Sequence, residues 1–477
     1  MRIKGWLQRQ WALKTAQERG QIKIKMMTSL ITFALFVLGF WSVFELDVLF
    51  RQLIDSYWIP LQLRLREEGG RLALLLVSAL VSLYSAWLAI RQTLARAQSW
   101  ECEAIPATAA WRVDPDYKRS GYRSSTAAPI ANRFLYSPAV NRALVLASRI
   151  PFTLKKEKWS LKNPGTDLLP FAVAEATRRG ALIFDETKIR LGSDLLLGPD
   201  GLSKPLTLQR TRYFYGLATN DVSFKKVQKR REAWDPDVSP YESEVYDGVS
   251  LFAQPGAASE DLFIKKLIDS ACSNHIGVST LAITSDGSLI ITGQAASNAQ
   301  SGNTWAPSGS GSADWQDLRH AKDLVSLVQR AAERELIEEC GLPRSVAFKT
   351  LLLGFARNVH RGGKPEFFCL TLLSLRAAEL RLKHKEGEKV FTAYNVYDAL
   401  PQKIDFRLSC VVPSLESFRE RFAAKMSGPM ALALDMLRDA VAMPDSPIRS
   451  ALAGLDLSHP WYEGADEEGE ASDEPLS

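Results

Sequence analysis

The chain opens on two long apolar runs. Residues 27–44 and 72–90 contain no Asp, Glu, Lys or Arg. At about 1.5 Å of helical rise per residue, each reaches roughly the thickness of a hydrocarbon core. Ser78, Ser82 and Ser85 with Ala79, Ala86 and Ala89 give the second run the small residues that let membrane helices approach closely. Trp41, Tyr57, Trp58 and Trp87 fall near the ends, where amphipathic aromatics favour the interface. The pattern predicts a transmembrane hairpin over 27–91. A pair of buried core helices is the alternative, but uncharged runs of this length are rare in soluble folds. Arg2, Lys4, Arg9, Lys14, Arg19, Lys23 and Lys25 precede the first run against Glu18 alone, whereas the connecting segment is mixed in charge. Basic residues stay on the cytoplasmic side, so both termini are expected there. The arm 1–26, with Trp6, Leu7, Trp11 and Leu13 among its basic residues, is expected either to lie on the anionic inner leaflet or to act as a targeting presequence.

Beyond residue 100 the periods shorten. Residues 181–184 and 206–208 read as strands, 212–215 as another stopped by Gly216, and 168–179 as a helix. Residues 225–231 form a basic run. No chemical motif stands out in 100–265, which is expected to be either an adaptor or an N-terminal extension of the domain that follows.

Residues 270–445 are clearer. Apolar runs at 276–283 and 289–292 flank Asp286-Gly287, a strong hairpin signal. The stretch 294–311 is rich in Ser, Gly and Asn and reads as a loop, either turned onto a phosphate or simply a flexible excursion. Residues 350–353 and 367–373 predict strands, and Pro429 after Ser427-Gly428 predicts a closing helix through residue 441. The acidic segment 463–477 is expected to be disordered.

Val325, Val328, Ala332 and Leu336 recur at helical spacing and predict one buried stripe. Beside it, Glu335, Glu338 and Glu339 stand at i, i+3 and i+4 and share a face. Like charges so placed repel unless a cation lies among them, and hard Mg²⁺ or Mn²⁺ suits three carboxylates. The plain alternative is a solvated acidic face with Arg334 paired to Glu338. Gly341 is placed to end the helix in the left-handed conformation.

The run Arg334-Glu335-Leu336-Ile337-Glu338-Glu339-Cys340-Gly341-Leu342 resembles the second half of the Nudix box, R-E-U-x-E-E-x-G-U with U aliphatic, at every fixed position. The first half departs from the family pattern. Gly311 is followed after five residues by Asp317 in place of Glu, and sixteen residues rather than seven then precede Arg334. Trp305 through Gly311 looks like a variant of the W-x-x-P-G-G segment that leads into the box. The resemblance implies an α+β region with a Nudix-like α/β/α sandwich over 270–445. It also implies a metal held by Glu335, Glu338 and Glu339, with Glu335 or a further glutamate outside the box, for which Glu366 is the candidate, as the base. Arg357, Arg361 and Lys364 are candidate partners for ligand phosphates.

The whole arrangement resembles bacterial proteins that join two transmembrane helices to a SMODS-associated Nudix domain and serve as effectors in CBASS anti-phage signalling. That likeness implies a two-pass protein of the cell inner membrane, both termini cytoplasmic. It would sense a nucleotide or cyclic oligonucleotide made by a partner nucleotidyltransferase, form a homo-oligomer and disrupt the lipid bilayer. The alternative is a membrane-anchored, metal-dependent hydrolase of a nucleoside diphosphate-linked substrate.

Composition changes this picture little. With 477 residues, two or three domains are expected. A net charge of +5 without a basic, aromatic-interleaved groove argues against direct nucleic-acid binding. Cys102, Cys272, Cys340, Cys369 and Cys410 are scattered and odd in number, which argues against a disulfide framework or zinc site. His275, His320, His360, His384 and His459 are isolated and read as structural or surface groups.

Overall fold

A computed structural model describes residues 84–85, 100–104, 110–125, 134–162, 165–178, 185–199, 201–203, 205–229, 245–255, 261–294, 304–342, 346, 348–379, 392–396 and 404–455. The first apolar run, all but two residues of the second, the basic arm, the strand expected at 181–184 and the acidic tail lie outside the described residues. No described helix is long and apolar enough to cross a membrane.

The chain divides into two units. One takes Met1–Glu101, Thr166–Phe171 and Gln228–Glu244, and little of it is described beyond part of the helix Gly165–Arg178. The other takes Cys102–Gly165, Ala172–Val227 and Val245–Ser477 and carries the candidate site. Most of the segment expected to precede the sandwich thus belongs to the same unit as the sandwich.

The second unit is mixed α/β, built on a nine-stranded sheet. Its strands are β1 (Arg123–Ser124), β2 (Phe134–Tyr136), β3 (Gly277–Ile283), β4 (Leu289–Gln294), β5 (Trp305–Ala306), β6 (Gly309–Ser312), β7 (Phe348–Asn358), β8 (Lys364–Leu373) and β9 (Thr392–Val396). They run in the order β5-β4-β3-β8-β7-β2-β1, with β6 added on β3 and β9 on β4. The centre is a parallel pair, β3 with β8, in register from Gly277↔Glu366 to Ile283↔Leu372. The hairpin joining β3 to β4 turns where Asp286-Gly287 predicts, with Gly287 at φ 85°.

Among the described residues five helices cover the sheet: α1 (Pro138–Leu146), α2 (Leu324–Cys340), α3 (Val411–Phe422), α4 (Gly428–Ala442) and α5 (Pro447–Leu452). Strand alternation sends successive side chains to opposite faces. Leu281, Ile283, Phe368 and Leu370 join a core with side chains of α1, α3, α4 and α5. Ala282, Ile290 and Leu373 join a smaller core with Leu336 and Cys340 of α2. The result is three layers, with α2 alone among these five in the second core.

Two local expectations change. Within the stretch read as loop, residues 305–306 and 309–311 are strand, and β6, which runs on to Ser312, pairs antiparallel with β3 from Gly277↔Ser312 to Thr280↔Gly309. The strand expected at 212–215 ends at Arg212, and Tyr213–Leu217 turns helical. Asp185 accepts the Phe214 backbone N–H at 3.0 Å and draws the chain into that turn.

A smaller sheet forms ahead of the sandwich, in the order Phe152–Leu154, Leu206–Arg212, Thr187–Leu191. Its last strand reaches the main sheet. Ile189 N–H donates to the Ala313 carbonyl at 3.2 Å, and Ile276 N–H donates to the Ile189 carbonyl at 2.8 Å.

Candidate functional site

The site is built on the last two turns of α2. Asp323 caps the helix by accepting the Ser326 N–H at 2.9 Å, and Gly341 ends it at φ 61°, the left-handed conformation that glycine takes without strain. Val325, Val328, Ala332 and Leu336 are all buried, which fixes the roll of the helix. The polar side of that roll carries Arg334, Glu335, Glu338 and Glu339.

β6 lies directly on this helix, and glycine is what allows it. A Cβ at Gly309 would fall 2.8 Å from the Leu336 Cα, and one at Gly311 would overlap the Glu335 carboxylate. At that closeness the strand's outward N–H groups meet the helix acids. Ser310 N–H donates to Glu339 Oε2 at 2.9 Å, and Ser312 N–H donates to Glu335 Oε1 at 3.0 Å.

Arg334 is the hub. Its Nε and Nη2 donate to the two Asp317 oxygens, each at 3.1 Å, in a bidentate fork. Nη2 also donates to the Ser312 carbonyl at 2.9 Å. Nη1 donates to Glu335 Oε1 at 3.0 Å and Glu338 Oε2 at 3.1 Å, and lies 3.7 Å from Asp314 Oδ2. Asp317 and Arg334 therefore meet in space despite the long gap between them, and Gly311 lies against the neighbouring Glu335 carboxylate. The extra residues are taken up by the short 3-10 helix Trp315–His320 and the first turns of α2.

Burial pushes the Glu335 carboxyl above its ordinary range, and Arg334 and Lys188 offset this only in part. Burial likewise raises Asp314 against the pull of Lys188 and Arg334. Burial also works against the Arg334 guanidinium, but the acids around it outweigh that effect and hold it charged.

The expected metal grouping is not formed. Among the described residues no three His, Cys, Asp or Glu side chains are arranged to hold a metal ion. Glu335, Glu338 and Glu339 supply the right donor type for Mg²⁺ or Mn²⁺. However, Glu335 and Glu338 both turn an oxygen onto Arg334 Nη1, and Glu339 turns one onto the Ser310 N–H. In this arrangement the Arg334 guanidinium takes the place between Glu335 and Glu338 that an ion would take.

The other candidates lie along the β7–β8 hairpin. Arg357 is fully buried and donates to the Gly363 carbonyl at 2.9 Å, the Lys265 carbonyl at 2.7 Å and the Tyr117 hydroxyl. It anchors the hairpin and has no surface left for a phosphate, which corrects the expectation for this residue. Arg361 Nη2 pairs with Asp221 at 2.8 Å. Glu366 accepts from Asn358 Nδ2 at 3.4 Å and lies 3.8 Å from Lys364 Nζ.

Register places Glu366 opposite Gly277, and Gly277 opposite Ser312. Glu366 is thus two strands from the Glu335 partner, about 10 Å by strand spacing. A Cβ at Gly277 would fall 2.8 Å from Lys364 Nζ, so that ammonium lies over the bare glycine between the two acids. Burial, and then Arg361, depress its pKa to about 8.

Sequence reasoning missed Lys188 and Asp314. Lys188 donates to Glu186 Oε2 at 2.8 Å and to Asp314 Oδ1. Burial opposes its charge, but Asp314, Glu186 and Glu335 hold its pKa above the ordinary lysine value. Nothing in the local pattern around Lys188 marks it. Asp314 is signalled only by its offset from Asp317, since the two form a capping box with Asp314 N–H on Asp317 Oδ2 at 2.8 Å.

No family model and no curated protein matches the chain. Loose overlaps with solved structures exist. DR0079 from Deinococcus radiodurans shares 15% identity at a TM-score of 0.21, over 34% of this chain and 82% of that one. RenU, a Nudix hydrolase from M. smegmatis, shares 15% identity at a TM-score of 0.22, over 36% of this chain and 90% of that one. Overlaps this loose fix no activity for the present chain.

Proposed function

We propose that the second unit is a Nudix-like nucleotide receptor and that the chain is a membrane-anchored effector governed by it. The observation that carries this reading is the Asp317–Arg334 fork, which brings the divergent first half of the box onto the intact second half. Arg334 takes the place between Glu335 and Glu338 that a catalytic ion would need, which supports holding a ligand over turning it over. Arg361, at the β7–β8 turn, is the cation offered to ligand phosphates, whereas Lys364 is nearly as buried as Arg357. The ligand class is a nucleotide or cyclic oligonucleotide supplied by a partner nucleotidyltransferase.

On this reading the apolar runs 27–44 and 72–90 anchor the chain, ligand binding favours clustering, and the clustered helices breach the bilayer in antiviral defence. A ligand drives that change only by binding the clustered state more tightly than the resting one. The test is incubation of the purified chain in detergent with a panel of linear and cyclic nucleotides, with and without Mg²⁺ or Mn²⁺, followed by mass spectrometry. A nucleotide retained unchanged supports a receptor. Dye-loaded liposomes carrying the protein should then leak only when that nucleotide is added; leakage without it, or none with it, counts against the effector role.

One observation favours a second reading. Glu335 is largely shielded from solvent and burial raises its carboxyl pKa, the direction that suits a general base. A hydrolase would convert a panel nucleotide, and Glu335→Gln would abolish conversion while leaving the fold intact.

A further inference from the structure

We infer that Lys188, from the segment ahead of the sandwich, is a positioning residue of the box: by holding Asp314 it keeps Arg334 on Glu335 and Glu338. This deepens the reading of the box as the ligand site and rests on it.

Three observations carry the inference. First, Lys188 is fixed from its backbone outward. Residues 188 and 314 form an isolated antiparallel bridge, flanked by the Ile189-to-Ala313 and Ile276-to-Ile189 hydrogen bonds. Its ammonium is thereby delivered to Asp314 with only 7% of the side chain exposed.

Second, Asp314 stands between two cations. One oxygen takes Lys188, and the other faces Arg334 Nη1 at 3.7 Å, longer than that nitrogen's 3.0 and 3.1 Å contacts to Glu335 and Glu338. Among the described residues no other cation pairs with Asp314. Without Lys188, a largely buried carboxylate would be left with Arg334 as its sole counter-charge. In a weakly screened site that pull is strong, because burial removes the water that would otherwise shield it.

Third, what Arg334 releases is legible elsewhere. Glu335 Oε1 is shared by Arg334 Nη1 and the Ser312 N–H, so drawing Nη1 toward Asp314 loosens the seat of Glu335 and with it the bond that closes β6 onto α2.

The test is amide hydrogen exchange of the full chain, resolved at Ser310 and Ser312, and it uses no nucleotide or metal. Lys188→Met should speed exchange at Ser312 by about tenfold or more, with amides in the buried turns of α2 little changed. Lys188→Arg should restore protection, because it returns the charge to Asp314.

The decisive variant is Lys188→Met with Asp314→Asn. Removing the charge that pulls on Arg334 should return Ser312 to near wild-type protection even though Lys188 is absent. A role confined to packing predicts the opposite, with the double variant at least as labile as Lys188→Met. Wild-type exchange in Lys188→Met, or no suppression in the double variant, overturns the inference. Should Lys188→Met fail to fold, folding and protection of the double variant still decide the question, since suppression of that failure is what positioning predicts. A nucleotide panel that comes up empty would defeat the receptor reading without touching this result.

Discussion

At the residue scale, the site depends on side chains that are missing as much as on those present. Gly309 and Gly311 let a strand lie on a helix bearing three acids, and Gly277 leaves room for the Lys364 ammonium. Gly311→Ala drives a methyl group into the Glu335 carboxylate, so β6 must lift from α2. A loss of about 1–3 kcal/mol is expected on denaturant unfolding, the usual range for overpacking. Lys364 has a separate signature. Its folded pKa, about 8, lies below the 10.5 of an unperturbed lysine, so the folded state sheds the proton first. Between those values the unfolded chain binds more protons, and stability rises with pH through that window. Below about pH 8 the charged form carries its full penalty, on the order of 3 kcal/mol by linkage. Lys364→Met should flatten that limb of the stability–pH curve; an unchanged rise between pH 8 and 10.5 would assign it to another group.

At the element scale, α2 is held by its ends and by its hub. Asp317→Ala leaves Arg334 half-buried without its bidentate partner and should destabilise by on the order of 3 kcal/mol, as for other broken buried pairs. At the far side of the sheet, β7 carries a bulge between Leu352 and Gly354, and Asn141 of α1 accepts the Phe355 N–H there at 2.9 Å. Asn141→Ala should cost about 1–3 kcal/mol by leaving that donor unmet, measured against a neutral surface substitution of α1. Elements set by local chemistry were readable from the chain. The stripe of α2, its Gly341 stop, the Asp286-Gly287 turn and the α4 start at Ser427-Gly428-Pro429 all depend on neighbours within a few residues. Elements set at a distance were not. Residues 309–312 have little strand propensity and pair only because β3 is waiting. The aromatic run after Arg212 has high strand propensity and yields to Asp185. Lys188 meets Asp314 across 126 positions, a separation at which no periodic signal survives.

At the scale of the whole molecule, most of the segment before the sandwich and the sandwich itself form one unit, so the acidic cluster on α2 is completed by Lys188 from that segment. The apolar runs near the N-terminus predict that the full chain partitions with membranes. A chain lacking residues 1–99 should leave that fraction, and retention of the shortened protein would place the anchor elsewhere. The gap between Asp317 and Arg334 carries a broader consequence. A signature written with fixed gaps is a ruler laid along the backbone, whereas this chain measures the same interval through space. Its two marks coincide because the intervening residues leave as a short 3-10 helix and return as helix turns. Lengthening that out-and-back path would cost the contact only the slowly growing entropy of closing a longer segment. The interval that matters is which acid the arginine ahead of the paired glutamates can reach, not the number of residues between them.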